Sequence, residues 1–484
     1  MTMSCKKYLT YEEFGAKGDG VTDDLAAIIA THEEANRTGK TVKAKDGATY
    51  YIGGKNAHAV IKTDVCFGNA EFIIDDRAVE NRNSPLFTVE SDAIPFTPDI
   101  KTLKKGQKKV DFPHEGTVFV QVKNANKPIF IRKGLNKTNG DPTQDIFIVD
   151  GEGNVLSTID WDYDEITYAA AKRIDDAPIT IEGGSFTTIS NHEEAKYRYF
   201  ARNISITRPN VTLKGIKHYM KDVPEEAAPY AGFINIGETA NVKVIDCLLT
   251  PRFIYWTESA VPGQKVAMGS YGIGLGACIN VLCKNMKQTI DIHDRRYWGL
   301  VCSNFCKDLT FEDCNISRFD AHMGVSNVTL KNCTFGHQCV NLIGFGKAYI
   351  ENCHIYGYQF IALRGDYGSV FFGDIEVKNS VWHPINHPKL SAFAGYNSGD
   401  HDFGYECHMP NITLDGFTID DEQNPDGAFY ILPNYDGNYT GEGIKYPYHT
   451  TKVLKIKDVK RASGKPFGFC ENPAQYADLL VIEE

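Results

Sequence analysis

A six-position pattern recurs through the second half of the chain: apolar, any residue, apolar, any residue, a small polar residue or Gly, then a residue of buried type. It reads Val211-Thr-Leu-Lys-Gly-Ile216, Val242-Lys-Val-Ile-Asp-Cys247, Leu309-Thr-Phe-Glu-Asp-Cys314, Val328-Thr-Leu-Lys-Asn-Cys333, Ala348-Tyr-Ile-Glu-Asn-Cys353, Ile375-Glu-Val-Lys-Asn-Ser380 and Ile412-Thr-Leu-Asp-Gly-Phe417. From Cys314 the register advances 19 residues to Cys333, 20 to Cys353 and 27 to Ser380. Alternation within a strand sends positions one, three and six inward. A self-similar period of this length means stacked coils, each burying its apolar face on the next. The pattern therefore predicts one coil per repeat, with Cys247, Cys314, Cys333 and Cys353 in an interior ladder and Asn332 and Asn352 stacked at the turns. A small thiol fills such an interior without a polar cost.

Upstream the periodicity differs. Leu25, Ile28, Ile29 and His32 follow helical spacing, Thr22, Asp23 or Asp24 can accept the first N–H bonds, and Gly39 ends the helix. Between 90 and 175 come Thr117-Val-Phe-Val-Gln-Val, Pro128-Ile-Phe-Ile and Asp145-Ile-Phe-Ile-Val-Asp, followed by the hairpin signal Asp150-Gly-Glu-Gly-Asn. This predicts an antiparallel β insertion, and its basic run Lys101-Thr-Leu-Lys-Lys-Gly-Gln-Lys-Lys reads as a solvated loop. Three parts follow: 1–89, a cap and first coils; 90–175, the insertion; 176–484, the main helix. Trp382 to Asp402 and Asp426 to Tyr448 read as long loops walling a groove.

The run Phe14-Gly-Ala-Lys-Gly-Asp-Gly-Val-Thr-Asp-Asp24, with its short helix and strand, resembles the N-terminal cap of the pectin-lyase-like right-handed parallel β-helix superfamily. That group includes polygalacturonase-type glycoside hydrolases, pectate-lyase-like enzymes and phage tailspikes. The resemblance implies an all-β, right-handed parallel β-helix with a capping helix, and makes Asp19, Asp23 and Asp24 turn and cap residues.

Composition narrows the partners. A net charge of -11 without a long basic run argues against nucleic acid. The opening Met-Thr-Met-Ser-Cys-Lys-Lys has no apolar core of a signal segment, and there is no 18-residue apolar run, so a soluble cytoplasmic protein without a membrane partner is expected. Thirteen Cys, mostly within apolar strands, read as reduced core thiols. No HExxH motif or close ligand pair supports a metal, and no cofactor is expected.

Polar groups recur after the strands in Thr289-Ile-Asp-Ile-His-Asp-Arg-Arg-Tyr-Trp-Gly299, Ser317-Arg-Phe-Asp-Ala-His322, Gly336-His-Gln-Cys-Val-Asn341 and Leu363-Arg-Gly-Asp-Tyr367. If Ile290 and Ile292 point inward, Asp291 and His293 point outward and leave Asp294 and Arg295 at the strand end. Arg318, Asp320 and His322 form the next outward set. Counted from the ladder cysteines, Arg318 and His337 share offset four, His322 and Asn341 share offset eight, and Arg364 and Asp366 follow Cys353 at 11 and 13. Coils about 4.8 Å apart would put carboxylates ~5 or ~10 Å from one another. Glycosidases use about 5–5.5 Å for retention and about 6.5–9.5 Å for inversion.

The expectation is a glycoside hydrolase acting on an oligo- or polysaccharide. Asp294 and Asp320 are the preferred carboxyl pair, with Asp366 and Asp291 as substitutes. Arg295, Arg296, Arg318 and Arg364 would hold hydroxyls or a uronate carboxylate, Tyr297 and Trp298 would pack on sugar, His293 would join this substrate-binding set, and His322 and His337 would orient or relay protons. Two alternatives use the same groups: a polysaccharide lyase on a uronate, and a tailspike-like binding or structural protein without turnover. Room remains for a homo-oligomer. The polygalacturonase signatures Asn-Thr-Asp, Gly-His-Gly and Arg-Ile-Lys are absent in the expected order.

Overall fold

The computed structural model describes residues 8–133, 137–174, 177–195, 199–258, 263–439 and 442–484. Met1–Lys7 and the expected boundary at 175 lie outside them. A single hydrogen-bonded sheet of 33 strands winds through the molecule, and its named pairings are parallel. It divides into three faces. Face A stacks Phe87–Val89, Ile204–Ile206, Ile234–Gly237, Ile273–Gly276, the first part of Val301–Glu312 and of Phe319–Lys331, then Val340–Leu342, Ile361–Leu363 and Phe393–Ala394. Face B follows in each coil and includes Ala240–Ile245, Ile279–Lys284, Gly344–Glu351, Phe371–Lys378 and Asn411–Asp415. Face C is made of short strands such as Asn315–Ile316, Thr334–Phe335, His354–Gly357 and Val381–Pro384. This is the parallel β-helix that the repeat predicts.

The six-position template spans the turn from B to C. Its fifth residue takes a left-handed conformation at Asp246, Asn285, Asp313, Asn332, Asn352 and Asn379, with φ between 44° and 56°. Asn and Asp tolerate that region because their side chains bond locally. Here they also bond along the stack: Asn352 Nδ2 donates to Asn332 Oδ1, and Asn332 Nδ2 to Asp313 Oδ1, both at 3.1 Å. The sixth residue is buried, and the interior ladder runs through Cys247, Cys314, Cys333 and Cys353. The Cys314 amide donates to Cys333 Sγ at 3.4 Å, and the Cys353 amide to Ser380 Oγ at 3.1 Å.

The helix Leu25–Thr38 buries Leu25, Ile28, Thr31, His32 and Ala35 against the first coils and ends at Gly39, φ 69°. Asp23 Oδ1 accepts the Leu25 amide, while buried Asp24 accepts those of Lys17 and Gly18, so these carboxylates serve turn and cap. The insertion forms an antiparallel sheet of Val118–Ile129, Asp141–Val149 and Tyr168–Arg173. It lies on the helix flank through Phe119, Ile146, Ile148 and Ile174 against Ala240, Ala277 and Ile279. Lys307, almost wholly buried, reaches up to Asp145 at 2.6 Å and Asp160 at 2.9 Å.

Two expectations change. Trp382 belongs to the strand Val381–Pro384 and is completely buried rather than walling a groove, because its position continues the face C row. The stretch after Gln288 is no strand: 289–300 leaves the coil in turns closed by Asp294 N to Asp291 O and Tyr297 N to Asp294 O.

Candidate functional site

On face A, Asp320 occupies the row Cys302, Asp320, Asn341, Ala362. Equal offsets from the ladder cysteines predict His322 beside Asn341; Gln338 and Cys339 lengthen the corner, so Asn341 stands beside Asp320 instead. Asp320 faces away from the coil interior yet is fully covered, at 0% exposure. Arg364 Nη1 lies 2.7 and 2.8 Å from its two oxygens, Arg318 Nη2 lies 3.0 Å away, and the Tyr271 hydroxyl donates at 2.6 Å. Burial alone would raise this carboxyl, but the charges of Arg318 and Arg364 overcome it and hold it well below the usual range.

Arg364 also binds Asp366 through Nε at 3.1 Å and Nη2 at 2.8 Å, and Arg132 of the insertion reaches Asp366 at 2.7 Å. Asp366, too, is lowered: burial opposes ionisation, and Arg364 outweighs it. His322 donates from Nδ1 to Asn304 Oδ1 at 3.2 Å, and burial lowers it to about 4, so its ring is neutral at pH 7. Arg318 stacks over Trp298 at 4.8 Å and donates to Asn341 Oδ1 at 3.0 Å. Its Nε and Nη1 are buried without a partner. A Cβ at Gly299 would fall 2.9 Å from the Arg318 side chain, which explains glycine there. Arg318, Asn341, Arg364, Asp366 and Tyr396 line an open groove of about 320 Å³.

Round the corner, on face C, lies a second groove of about 260 Å³. His293, Arg295, His337, Tyr356, His383 and Asp420 line it. The 289–300 loop packs over the coil here, and the Ile292 carbonyl accepts both the backbone N–H of His337, at 3.2 Å, and its Nδ1, at 3.0 Å. That acceptor fixes the proton on Nδ1, leaving Nε2 with its lone pair. Nε2 is buried and has no partner. Burial lowers the ring's pKa, and the charges of Arg295, His293 and Arg318 add to this. Tyr356 packs edge-on to His293, centroids 4.5 Å apart, and stacks on His383 at 4.1 Å. His383 bonds Asp420 at 2.7 Å and His354 at 2.9 Å.

The structure thus brings together Arg318, Asp320, His322, Arg364 and Asp366 in one cluster, and His293, Arg295 and His337 in an adjoining one. Asp291 and Asp294 do not join the Asp320–Asp366 carboxylate cluster. Asp291 accepts the His293 amide at 2.9 Å within its own turn, and Asp294 is held by Arg296 at 2.6 Å, which lowers its pKa to about 2. Tyr297 stacks on Phe253 at 4.6 Å, and Arg296 lies over both rings. Tyr356 and His383 escaped the sequence reading although both fall three residues after a ladder position, Cys353 and Ser380. Tyr271 and Arg132 carried no local signal.

No protein-family model matches the sequence, and no curated protein is similar to it in sequence. Solved structures share its architecture. The tailspike of Pseudomonas phage phi297 is 12% identical, with a TM-score of 0.55 over 94% of this chain and 81% of its own. The tailspike of Pseudomonas phage LKA1 is 12% identical, TM-score 0.53, over 98% and 84%. A tailspike of an Acinetobacter baumannii bacteriophage, solved with A. baumannii capsular saccharide, is 10% identical, TM-score 0.55, over 95% and 72%. The chain has a right-handed parallel β-helix fold. In this β-helix both clusters lie outside the coil interior, on neighbouring faces, and grooves of about 320 and 260 Å³ open beside them.

Proposed function

We propose that this protein cleaves an acidic carbohydrate by β-elimination at a uronate, with His337 as the base. The carrying observation is His337 itself: a ring kept neutral by burial, its Nδ1–H spent on the Ile292 carbonyl, its Nε2 unpartnered, with the charges of Arg295 and Arg318 acting on it. Elimination needs a neutral base for the proton α to the carboxylate, a cation to draw off the carboxylate charge, and an acid for the leaving oxygen. His337 Nε2, covered in the free protein and reached only when a substrate opens the groove over it, takes the C5 proton, the electron pair forms the C4–C5 double bond, and the C4–O bond breaks. Arg295, which lines the same groove, offsets the carboxylate charge, and the Tyr356 hydroxyl protonates the departing oxygen. The substrate class also draws on the fold, since one structural neighbour was solved with a capsular saccharide.

Hydrolysis is the second reading, favoured by Asp320 and Asp366 bracketing one guanidinium. It needs one protonated carboxyl, and arginines hold both of these in the ionised form. Uronate-containing oligosaccharides decide between the readings. Elimination leaves an unsaturated uronate absorbing near ~235 nm, lost in His337→Gln; hydrolysis gives reducing ends without that absorbance. New reducing ends alone would move the assignment to Asp366, and no product at all would leave a binding protein.

A further inference from the structure

We infer that Glu406, His408 and His449 form a binding site for a borderline-soft divalent cation of the zinc type. Among the described residues, this group of His and Glu side chains brings its ligand atoms within 4.8 Å of one another. The strands Cys407–His408 and Tyr448–His449 pair in parallel register, His408 opposite His449, so the imidazoles stack with centroids 4.2 Å apart at 25°. Glu406 then presents one oxygen 2.7 Å from His449 Nε2 and the other 3.7 Å from His408 Nε2. A tetrahedral zinc with bonds of about 2.0–2.1 Å sets its donors ~3.3 Å apart, and these separations bracket that spacing. Two imidazole nitrogens and one carboxylate suit zinc, nickel or copper and disfavour magnesium and calcium, which take oxygen donors. All three side chains are partly exposed, leaving an entry path and a fourth position for water.

The location gives the ion a task. The two strands belong to long loops that also meet through Asn397 N to Tyr435 O at 2.9 Å and Tyr446 N to Gly399 O at 2.7 Å. The first of these loops carries Tyr396, a wall of the face A groove. A bound cation adds a side-chain tie where these two strands already pair, reinforcing the join between the loop that carries that wall and its neighbour. The inference stands independently of the cleavage reading.

Calorimetric titration of the chelator-stripped full chain with zinc chloride tests it. One zinc per chain is expected at this site, with affinity reduced at least ~10-fold in His449→Gln and in Glu406→Gln, unchanged in His383→Gln, and no comparable uptake of calcium. Anomalous diffraction at the zinc edge should place the ion among the three side chains. Zinc uptake unaltered in both variants, an ion located elsewhere, or no uptake by the wild-type chain would overturn the assignment. Because Glu406 is a surface side chain, Glu406→Gln keeps the test sound if a histidine variant fails to fold.

Discussion

Arg364 grips Asp320 with one nitrogen against both carboxylate oxygens, at 2.7 and 2.8 Å, in a place water does not reach. A buried pair of this kind is costly to break from one side, since the surviving charge keeps its desolvation penalty without its partner. Asp320→Asn should therefore lower stability by ~3–5 kcal/mol, measured by denaturant unfolding. Asp366, more open, should cost clearly less when changed to Asn. The folded-state pKa of Asp320 is depressed, so its contribution is complete above the ordinary carboxylate range and fades as pH falls through the folded value. An Asp320→Asn protein as stable as wild type would show that the cluster does not hold the coil.

Lys307 is the corresponding pin between helix and insertion. Burial disfavours its charge, but Asp145 and Asp160 outweigh that and hold it protonated. Lys307→Met should strand two carboxylates under the insertion and cost ~3–5 kcal/mol. Hydrogen exchange should rise first in Asp141–Val149, while the face B strands of later coils stay protected. Uniform loss of protection would mean that the insertion and helix unfold as one unit.

Legibility differed with distance along the chain. The ladder cysteines and turn asparagines were readable because coil stacking repeats one local environment every 19 or 20 residues, so the pattern is written many times. Arg364 and Asp366 were legible only as polar residues following the next short strand, at offsets of 11 and 13 from Cys353 that no other coil repeats. Arg132 was not: it meets Asp366 across 234 residues, through an insertion that obeys no repeat. Asp294 misled because a polar run after Gln288 looks like a strand end, whereas the chain there closes two turns and satisfies the carboxylate locally with Arg296. A corner lengthened by two residues likewise shifted the pairing of Asn341 from His322 to Asp320.

The ladder makes a chemical prediction. Cys314, Cys333 and Cys353 are at most 2% exposed, whereas Cys66 and Cys470 are half-buried. Among the described thiols, brief labelling of the native protein should modify Cys66 and Cys470 first, with the ladder thiols reacting only after unfolding. Mass mapping of labelled peptides checks this; rapid native labelling at Cys333 would contradict the stacked interior.

Activity should also report on His337. Its pKa lies below the ordinary 6.5, chiefly through burial, so the free-base form persists into mild acid. The kcat/KM for elimination should be flat near neutrality and fall only below pH ~6.5, with the acid limb absent from the residual activity of His337→Gln. An acid limb unchanged in that variant would assign the proton transfer to another group.

Acid should unfold the protein through two other histidines. His32 and His218 are fully buried, and burial lowers both to about 3. Each uses Nε2 in a hydrogen bond, His32 with the Tyr11 hydroxyl at 3.0 Å and His218 with Thr188 Oγ1 at 2.9 Å, while Nδ1 of each is buried without a partner. Between about pH 6.5 and 3 the unfolded chain therefore binds two protons that the folded chain refuses, and stability must rise with pH across that window. Each site contributes a slope of up to ~1.4 kcal/mol per pH unit. Denaturant midpoints at pH 7, 6 and 5 should fall accordingly in the wild-type chain; His32→Gln and His218→Gln should start less stable but each lose one site's share of the slope. Equal slopes in the wild type and both variants would mean that neither ring is held neutral by its burial.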